Sequence, residues 1–210
     1  MEESYKLPEL DYRVLSSGSN GNAVRIEDIM VDCGIAYSRM KKELNKCRLL
    51  FITHIHGDHL NVKTLNKIKE NHKQIKVVGN YQVAEKVGVD IISAKKEIKS
   101  KDWKIKPFEV LHDVLVQGIM IQFKNGTDVI YVTDSAGTDE WPKGVFDYLF
   151  IESNYNENVI KQVDKSKYKY DYIGAAKRHT SYQESKAYYY MHRKGKESEW
   201  IELHKSKRFY

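Results

Sequence analysis

The sequence predicts an α/β chain (α+β in its local order) whose two strand-rich halves pack as two sheets face to face with helices outside. Three observations lead there. Short β-branched and aromatic runs bounded by Gly, Asn and Asp fill residues 12–53 and return over 104–152. Helical periodicity interleaves with them, and elements alternating in this way form layers around a buried core. A chain of 210 residues, 41% hydrophobic and 30% charged, buries a substantial core and reads as one soluble globular domain over 1–210, without internal repeats or low-complexity tracts.

In order, the strands expected in the first half are Tyr12 to Ser16, Ala23 to Glu27, Ile29 to Cys33 and Leu49 to Thr53. Ser38 is a candidate N-cap for a helix running to about Lys46, and Val62 to Glu70 follows with apolar Leu65 and Ile68 at helical spacing. Ile75 to Val78 reads as a strand, Gln82 to Val87 as a short helix and Asp90 to Ser93 as another strand. The second block runs Lys104 to Leu111, Val114 to Phe123 and Asp128 to Thr133, with Asn125-Gly126 as a hairpin turn. Asp147 to Glu152 reads as a buried strand, Tyr182 to Arg193 as a helix stopped by Gly195, and Glu199 to Leu203 as a final strand.

Several classes are excluded or disfavoured. The longest uncharged apolar runs, Leu49 to Thr53 and Val129 to Val132, fall far below the roughly 18 residues that span a bilayer, so no membrane role is expected. MEESYKLPELDYR is acidic and lacks the apolar stretch of a secretory signal, which leaves the cytoplasm as the expected compartment. Cys33 and Cys47 have no partners at metal-ligand spacing and read as reduced thiols. The net charge of +6 is carried entirely by residues 155–210, with 13 Lys/Arg against 7 Asp/Glu; the remainder balances. Such a segment fits either phosphate attraction or a solvated lysine-rich face.

The chemistry concentrates in Leu49 to His59, LLFITHIHGDH. An apolar strand runs into His54, His56, Asp58 and His59, four potential ligands in six positions. Alternation on an extended chain places His54 and His56 on one side, and Gly57 permits a sharp turn that carries Asp58 and His59 to a second point. Imidazole plus carboxylate suits zinc, with manganese and iron also matched, whereas calcium and magnesium prefer oxygen shells. Four ligands do not complete two metal shells. His112, Asp134 and His204 each close a predicted strand at the same end, so they can converge with the first cluster on one edge.

THIHGDH matches the H-x-H-x-D-H signature, and the chain resembles the metallo-β-lactamase superfamily, with His112, Asp134 and His204 in the order that superfamily uses. The resemblance implies a four-layer αββα sandwich with a two-metal site at one edge. It implies that His54, His56 and His112 hold one metal, that Asp58, His59 and His204 hold the other, and that Asp134 bridges them. Asp32 in MVDCG matches the first-strand Asp that supports the site from behind. LFIESNYNE and RHTSYQES are similar to elements of ribonuclease Z and related phosphodiesterases, which implies that Glu152 and His179 pair near the leaving group. SSGSNGNAVRIE, MVDCG, HDV at His112, IESNYNENV and LHKSKR resemble the YycJ (WalJ) branch of DNA exonucleases over nearly the whole chain. The chain departs from that branch at Asn154-Tyr155-Asn156, where it usually reads Asn-His-Asp, and at His204-Lys205-Ser206, where it usually reads His-Leu-Ser.

Phosphodiester hydrolysis needs a nucleophile at neutral pH and relief of charge on the phosphoryl oxygens, and two metals about 3.5 to 4 Å apart supply both. Asp58 serves in this scheme as ligand and as acceptor from the attacking water, and His179 oriented by Glu152 protonates the departing alkoxide. The expected cofactors are two divalent ions, Zn2+ or Mn2+, and the expected activity is that of a metal-dependent phosphodiesterase. The substrate is a nucleic acid, with a DNA exonuclease as the leading form; a cyclic nucleotide or cyclic phosphate is the alternative, and a non-catalytic nucleic-acid-binding protein ranks last. A homodimer is a further expectation from the resemblance. Tyr168, Tyr170 and Tyr172 alternate with Lys167 and Lys169, and Tyr188 to Tyr190 follow on the late helix. That alternation fits base stacking or a packed sheet face equally well.

Overall fold

A computed structural model describes residues 5–94, 96–163 and 171–210. Lys167, Tyr168, Lys169 and Tyr170, part of the expected stacking face, lie outside the described residues. The chain divides into two compact units, Glu9–Lys96 and Met1–Pro8 with Glu97–Tyr210. Each carries a six-stranded mixed sheet.

In the Glu9–Lys96 unit the strands are β1 (Tyr12–Ser16), β2 (Ala23–Ile26), β3 (Ile29–Val31), β4 (Leu49–Ile52), β5 (Lys76–Gly79) and β6 (Ile91–Ile92), adjacent in chain order. The first three form an antiparallel meander, and from β3 to β6 every pairing is parallel. Parallel neighbours need crossovers, and these are supplied by α1 (Tyr37–Leu44), α2 (Val62–Asn71) and α3 (Tyr81–Val87). All four residues of β4 are buried, as expected of a parallel strand covered on both faces. Leu50 and Ile52, two apart on one face of β4, share a core with Met40 and Leu44 of α1 and with Leu65 and Ile68 of α2. Asn61 and Asn80 cap α2 and α3 by accepting from Thr64 N and Val83 N. The expected Ser38 cap is not used: α1 starts after Ala36, with no side-chain cap, because the preceding chain is already pinned by backbone bonds at Cys33 and Gly34.

The second unit repeats the plan. Its strands are β7 (Ile98–Lys99), β8 (Trp103–Val110), β9 (Val116–Phe123), β10 (Asp128–Val132), β11 (Tyr148–Glu152) and β12 (Glu199–Leu203). β7 to β10 are antiparallel neighbours, and β10, β11 and β12 are parallel. The Asn125-Gly126 hairpin forms as expected, with Gly126 at φ 88° and its N–H on Phe123 O. The late helix, α6 (Tyr182–His192), opens with a capping box in which Ser181 and Glu184 satisfy each other's backbone N–H. It ends at His192, with the expected last residue Arg193 as its C-cap. Two short helices unforeseen from sequence, α4 (Glu157–Lys161) and α5 (Tyr172–Ala176), lie between β11 and α6. Ile130, Val132, Leu149 and Ile151 pack on Trp141 and on Tyr188 of α6. Tyr5 and Pro8 tie the chain start to this unit, through Tyr5 Oη to Asp147 and Tyr148 Oη to Pro8 O.

This topology fixes where function can sit. β3, β4 and β5 run the same way, so Asp32, the segment from Thr53 and Asn80 leave one edge of the first sheet. β8, β10, β11 and β12 also share a direction, which sends His112, Asp134, Glu152 and His204 to one edge of the second. Carboxyl ends of parallel strands are where such sheets place ligands. Among the described residues no helix is long and apolar enough to cross a membrane. Cys33 and Cys47 are free and buried, and burial pushes both thiols up, Cys47 to about 12.

Candidate metal centre

In the first unit the strand ends sooner than the sequence suggests. β4 stops at Ile52, so His54 and His56 stand on the loop that follows it, and strand alternation does not orient them. A turn closed by His59 N and Leu60 N on His56 O, at 3.0 and 2.7 Å, folds the loop back. The His54 ring lies 4.7 Å edge-on from His56 and 4.1 Å from His59. His59 Nε2 is 3.8 Å from Asp58 Oδ2. The turn expected at Gly57 forms, but without the left-handed backbone that favours glycine: its φ is not positive and a Cβ there would meet nothing within 4 Å. The tight approach is at Gly34, where a Cβ would fall 1.6 Å from the Asp58 carbonyl oxygen.

Two residues behind the loop set the histidine tautomers. Asp32 has no solvent exposure and accepts Thr53 N–H at 2.8 Å, Thr53 Oγ1–H at 3.0 Å and His59 Nδ1–H at 2.7 Å. Because Thr53 donates to Asp32, its oxygen accepts from His54 Nδ1 at 3.0 Å. Both rings therefore carry the proton on Nδ1 and present Nε2 as the donor atom toward a metal. Burial pushes the Asp32 carboxyl up, against the pull of His59 and the Thr53 bonds. Asp32 also sits at φ 63°, a left-handed conformation unfavourable for a residue with a side chain, as do Asp134 at 54° and His204 at 55°. Strain of this kind, about 1–3 kcal/mol per residue, collects at functional sites.

The second unit gathers Asp134, Glu152, His179 and His204, with one donor atom of each within 4.8 Å of the others. Glu152 closes β11 with no exposure. Its Oε1 accepts Nδ1–H from His179 at 2.8 Å and from His204 at 3.0 Å, and its Oε2 accepts the N–H groups of Ser135 and Thr180 at 2.9 and 3.2 Å. Both oxygens are thus engaged, which makes Glu152 an orienting carboxylate rather than a metal ligand. Burial raises its pKa, yet the charges and hydrogen bonds of His179 and His204 outweigh that and hold it well below the usual range. Burial likewise pulls His179 down, and Glu152 with Asp134 overrides it, raising the imidazole to about 9. Asp134 Oδ1 lies 3.6 Å from His204 Nε2 and 3.7 Å from His179 Nδ1. His112 stands two residues past β8, its ring 5.7 Å from that of His179 and its Nε2 3.1 Å from Asp113 Oδ1.

Each unit therefore brings its own share of the expected residues together: His54, His56, Asp58 and His59 with Asp32 in one, and His112, Asp134, Glu152, His179 and His204 in the other. Nitrogen and carboxylate donors at metal-ligand spacing, with carboxylates behind the imidazoles, fit divalent zinc, manganese or iron. Sequence reasoning missed Thr53 and Asn22, which holds His59 Nε2 at 2.7 Å, and also Asn154, whose amide donates to His204 O at 2.8 Å. Only their position beside the motif residues pointed to them. The two histidines left outside the scheme are structural: His72 meets Tyr37 Oη at 3.0 Å, and His192 donates to Gly144 O at 2.6 Å. The expected tyrosine run divides. Tyr188 is buried with its hydroxyl on Pro142 O, Tyr189 stacks on Trp200, and exposed Tyr190 lies under the Arg193 guanidinium, 4.9 Å from it.

No family model matches the sequence, and no curated protein matches it. Solved structures do. The metallo-β-lactamase fold protein YhfI from Bacillus subtilis superposes with a TM-score of 0.69 at 18% identity, over 93% of this chain and 85% of that one. The short form of human tRNase Z gives 0.66 at 17% identity, over 94% and 93%. A diphosphatase of the PhnP family gives 0.65 at 14% identity, over 94% and 87%. Identities this low speak for architecture, and on that ground the chain has the metallo-β-lactamase fold.

Proposed function

We propose that this protein is a metal-dependent phosphodiesterase that uses two divalent cations, and that it acts on nucleic acid, most plainly as a DNA exonuclease. The observation that carries the reading is the 2.8 Å hydrogen bond between half-buried His179 and fully buried Glu152, set beside Asp134 and His204. A histidine held in one orientation by a carboxylate is what a departing alkoxide requires, a contribution of roughly 10² to 10⁴ in rate. With His179 raised to about 9, its imidazolium form holds a proton at neutral pH.

As the resemblance implies, His54, His56 and His112 would hold one cation and Asp58, His59 and His204 the other, and Asp134 would contribute to both. A bound cation pair supplies Lewis-acid activation of water and neutralises charge on the phosphoryl oxygens. The chain's own residues do the rest. Asp32 and Thr53 keep His54 and His59 in the Nδ1–H tautomer, Asp58 accepts the proton of the attacking water, and His179 protonates the leaving oxygen while Glu152 holds it in line.

Substitution separates these roles. His179→Ala is expected to keep metal content near wild type while turnover on phosphodiesters falls; His56→Ala and Asp134→Ala are expected to lose both. Equal metal loss in all three would reject the division. A second reading is hydrolysis of a small cyclic nucleotide or cyclic phosphate, chemistry that the same residues would support. Labelled DNA, RNA and cyclic mononucleotides assayed with Mn2+ or Zn2+ discriminate, since cleavage confined to the cyclic compounds removes the nuclease reading.

A further inference from the structure

Asn22 lies outside the ligand set yet touches it. The residue follows the turn at Gly18 to Gly21 and has no solvent exposure. Backbone contacts fix which way its amide faces. Gly18 N–H donates to Oδ1 at 2.7 Å, and a backbone N–H can only donate, so the other terminal atom is the nitrogen. That nitrogen lies 3.2 Å from Gly18 O, 3.3 Å from Asp58 O and 2.7 Å from His59 Nε2. An amide nitrogen offers no lone pair, so His59 Nε2 must accept and the ring proton must sit on Nδ1, facing Asp32. The Asp32 contact on Nδ1 and the Asn22 contact on Nε2 call for the same tautomer. It is the one a metal ligand at Nε2 needs, and here the amide of Asn22 already holds that lone pair.

We propose that Asn22 is a placeholder for the cation at His59: its side-chain amide occupies the Nε2 lone pair in the metal-free protein and yields it when a divalent ion binds. The inference rests on the reading of His59 as a ligand. One lone pair serves one partner, so metal entry breaks this contact. The remaining contacts of Asn22 need not change, because its backbone N–H on Asp58 O at 2.7 Å and its carbonyl under Gly34 N–H at 2.9 Å belong to the loop framework. Asn22 thus keeps His59 in the metal-ready tautomer and weakens metal binding by the strength of one hydrogen bond. It is a positioning residue. A purely structural turn residue would leave its side-chain amide insensitive to metal.

The full-length protein, stripped of metal and labelled with 15N, tests this by magnetic resonance during a zinc titration. The expected metal-free state has His59 protonated at Nδ1; zinc then shifts His59 Nε2, and the Asn22 side-chain amide moves in the same step. If His59 responds while the Asn22 amide stays fixed, or if metal-free His59 carries its proton on Nε2, the placeholder role is overturned and the ligand reading survives. No response of His59 at saturating zinc overturns both. As a second measurement, calorimetry on Asn22→Ala should show zinc binding at that step tightened roughly two- to tenfold, the equivalent of one net hydrogen bond. Unchanged or weaker binding contradicts the role; should the variant fail to fold, the wild-type spectra decide.

Discussion

Glu152 receives the Nδ1–H of His179 at 2.8 Å from a position closed to solvent, while the same oxygen also holds His204 at 3.0 Å. One carboxylate therefore orients both the proposed proton donor and a proposed metal ligand. With the Ser135 and Thr180 N–H groups on its other oxygen it accepts four hydrogen bonds, and none of its lone pairs is left for a cation.

The first consequence concerns the pH dependence of turnover. His179 is raised to about 9 by Glu152 and Asp134, which override the opposing effect of burial. An acid that must be protonated fails as pH rises through its pKa, so kcat is expected to fall above about pH 9. In Glu152→Gln that alkaline limb should move down toward the ordinary histidine value of about 6.5, with turnover at neutral pH reduced roughly 10² to 10⁴-fold. A pH–rate profile checks this; an unmoved limb would show that Glu152 does not set the proton affinity of His179.

The same pair affects the stability of the metal-free protein. Glu152 is depressed from 4.5, so its contribution is present above 4.5 and is lost as pH falls toward about 2. His179 is raised from 6.5, so its contribution is complete below 6.5 and is lost as pH rises through about 9. The two describe one interaction, fullest between pH 4.5 and 6.5. Thermal unfolding of chelator-treated protein should peak in that window, and Glu152→Gln should flatten the profile on both sides.

Asp32→Asn removes the charged acceptor behind His59 and puts an amide nitrogen where the carboxylate received three donors. Loss of a partner of this kind typically lowers metal affinity about 10- to 100-fold. Competition with a chromogenic chelator measures it, and wild-type affinity would mean that His59 keeps its tautomer without Asp32.

Gly34→Ala should be among the most damaging single-atom additions. Its Cβ would lie 1.6 Å from the Asp58 carbonyl oxygen, which is backbone and cannot rotate aside. Overpacking of this sort costs about 1–3 kcal/mol, and displacement of Asp58 should reduce metal stoichiometry as well. Denaturant unfolding with metal analysis tests both effects. Gly57→Ala, with open space at its Cβ, is the control expected to leave both near wild type.

Much of this was legible in the sequence because the strands are short, strongly apolar and closed by chemistry-bearing residues. Tyr12–Ser16 and Glu199–Leu203 are bounded in the structure as the sequence predicts. The THIHGDH motif names its residues without naming their geometry. The sequence places His54 and His56 on a strand, whereas the chain leaves the sheet at Ile52 and a backbone turn on His56 O arranges them. Ser38 has the right side chain for a cap, yet backbone bonds upstream decide where α1 begins. α4 and α5 are only five residues each, too short for periodicity to register. Asn22, Thr53 and Asn154 are invisible for a different reason: their importance lies in which buried atom they face, and no local pattern encodes that.

As proposed above, the imidazoles and carboxylates of each unit would serve a phosphodiesterase that works with divalent cations. The most direct measurement is elemental analysis of the purified full-length protein, paired with a phosphodiester cleavage assay before and after chelation. About two equivalents of zinc, manganese or iron per chain are expected, with cleavage that disappears with the metal and returns when it is restored. Protein that takes up no divalent ion, or that cleaves equally well without one, would contradict the proposal.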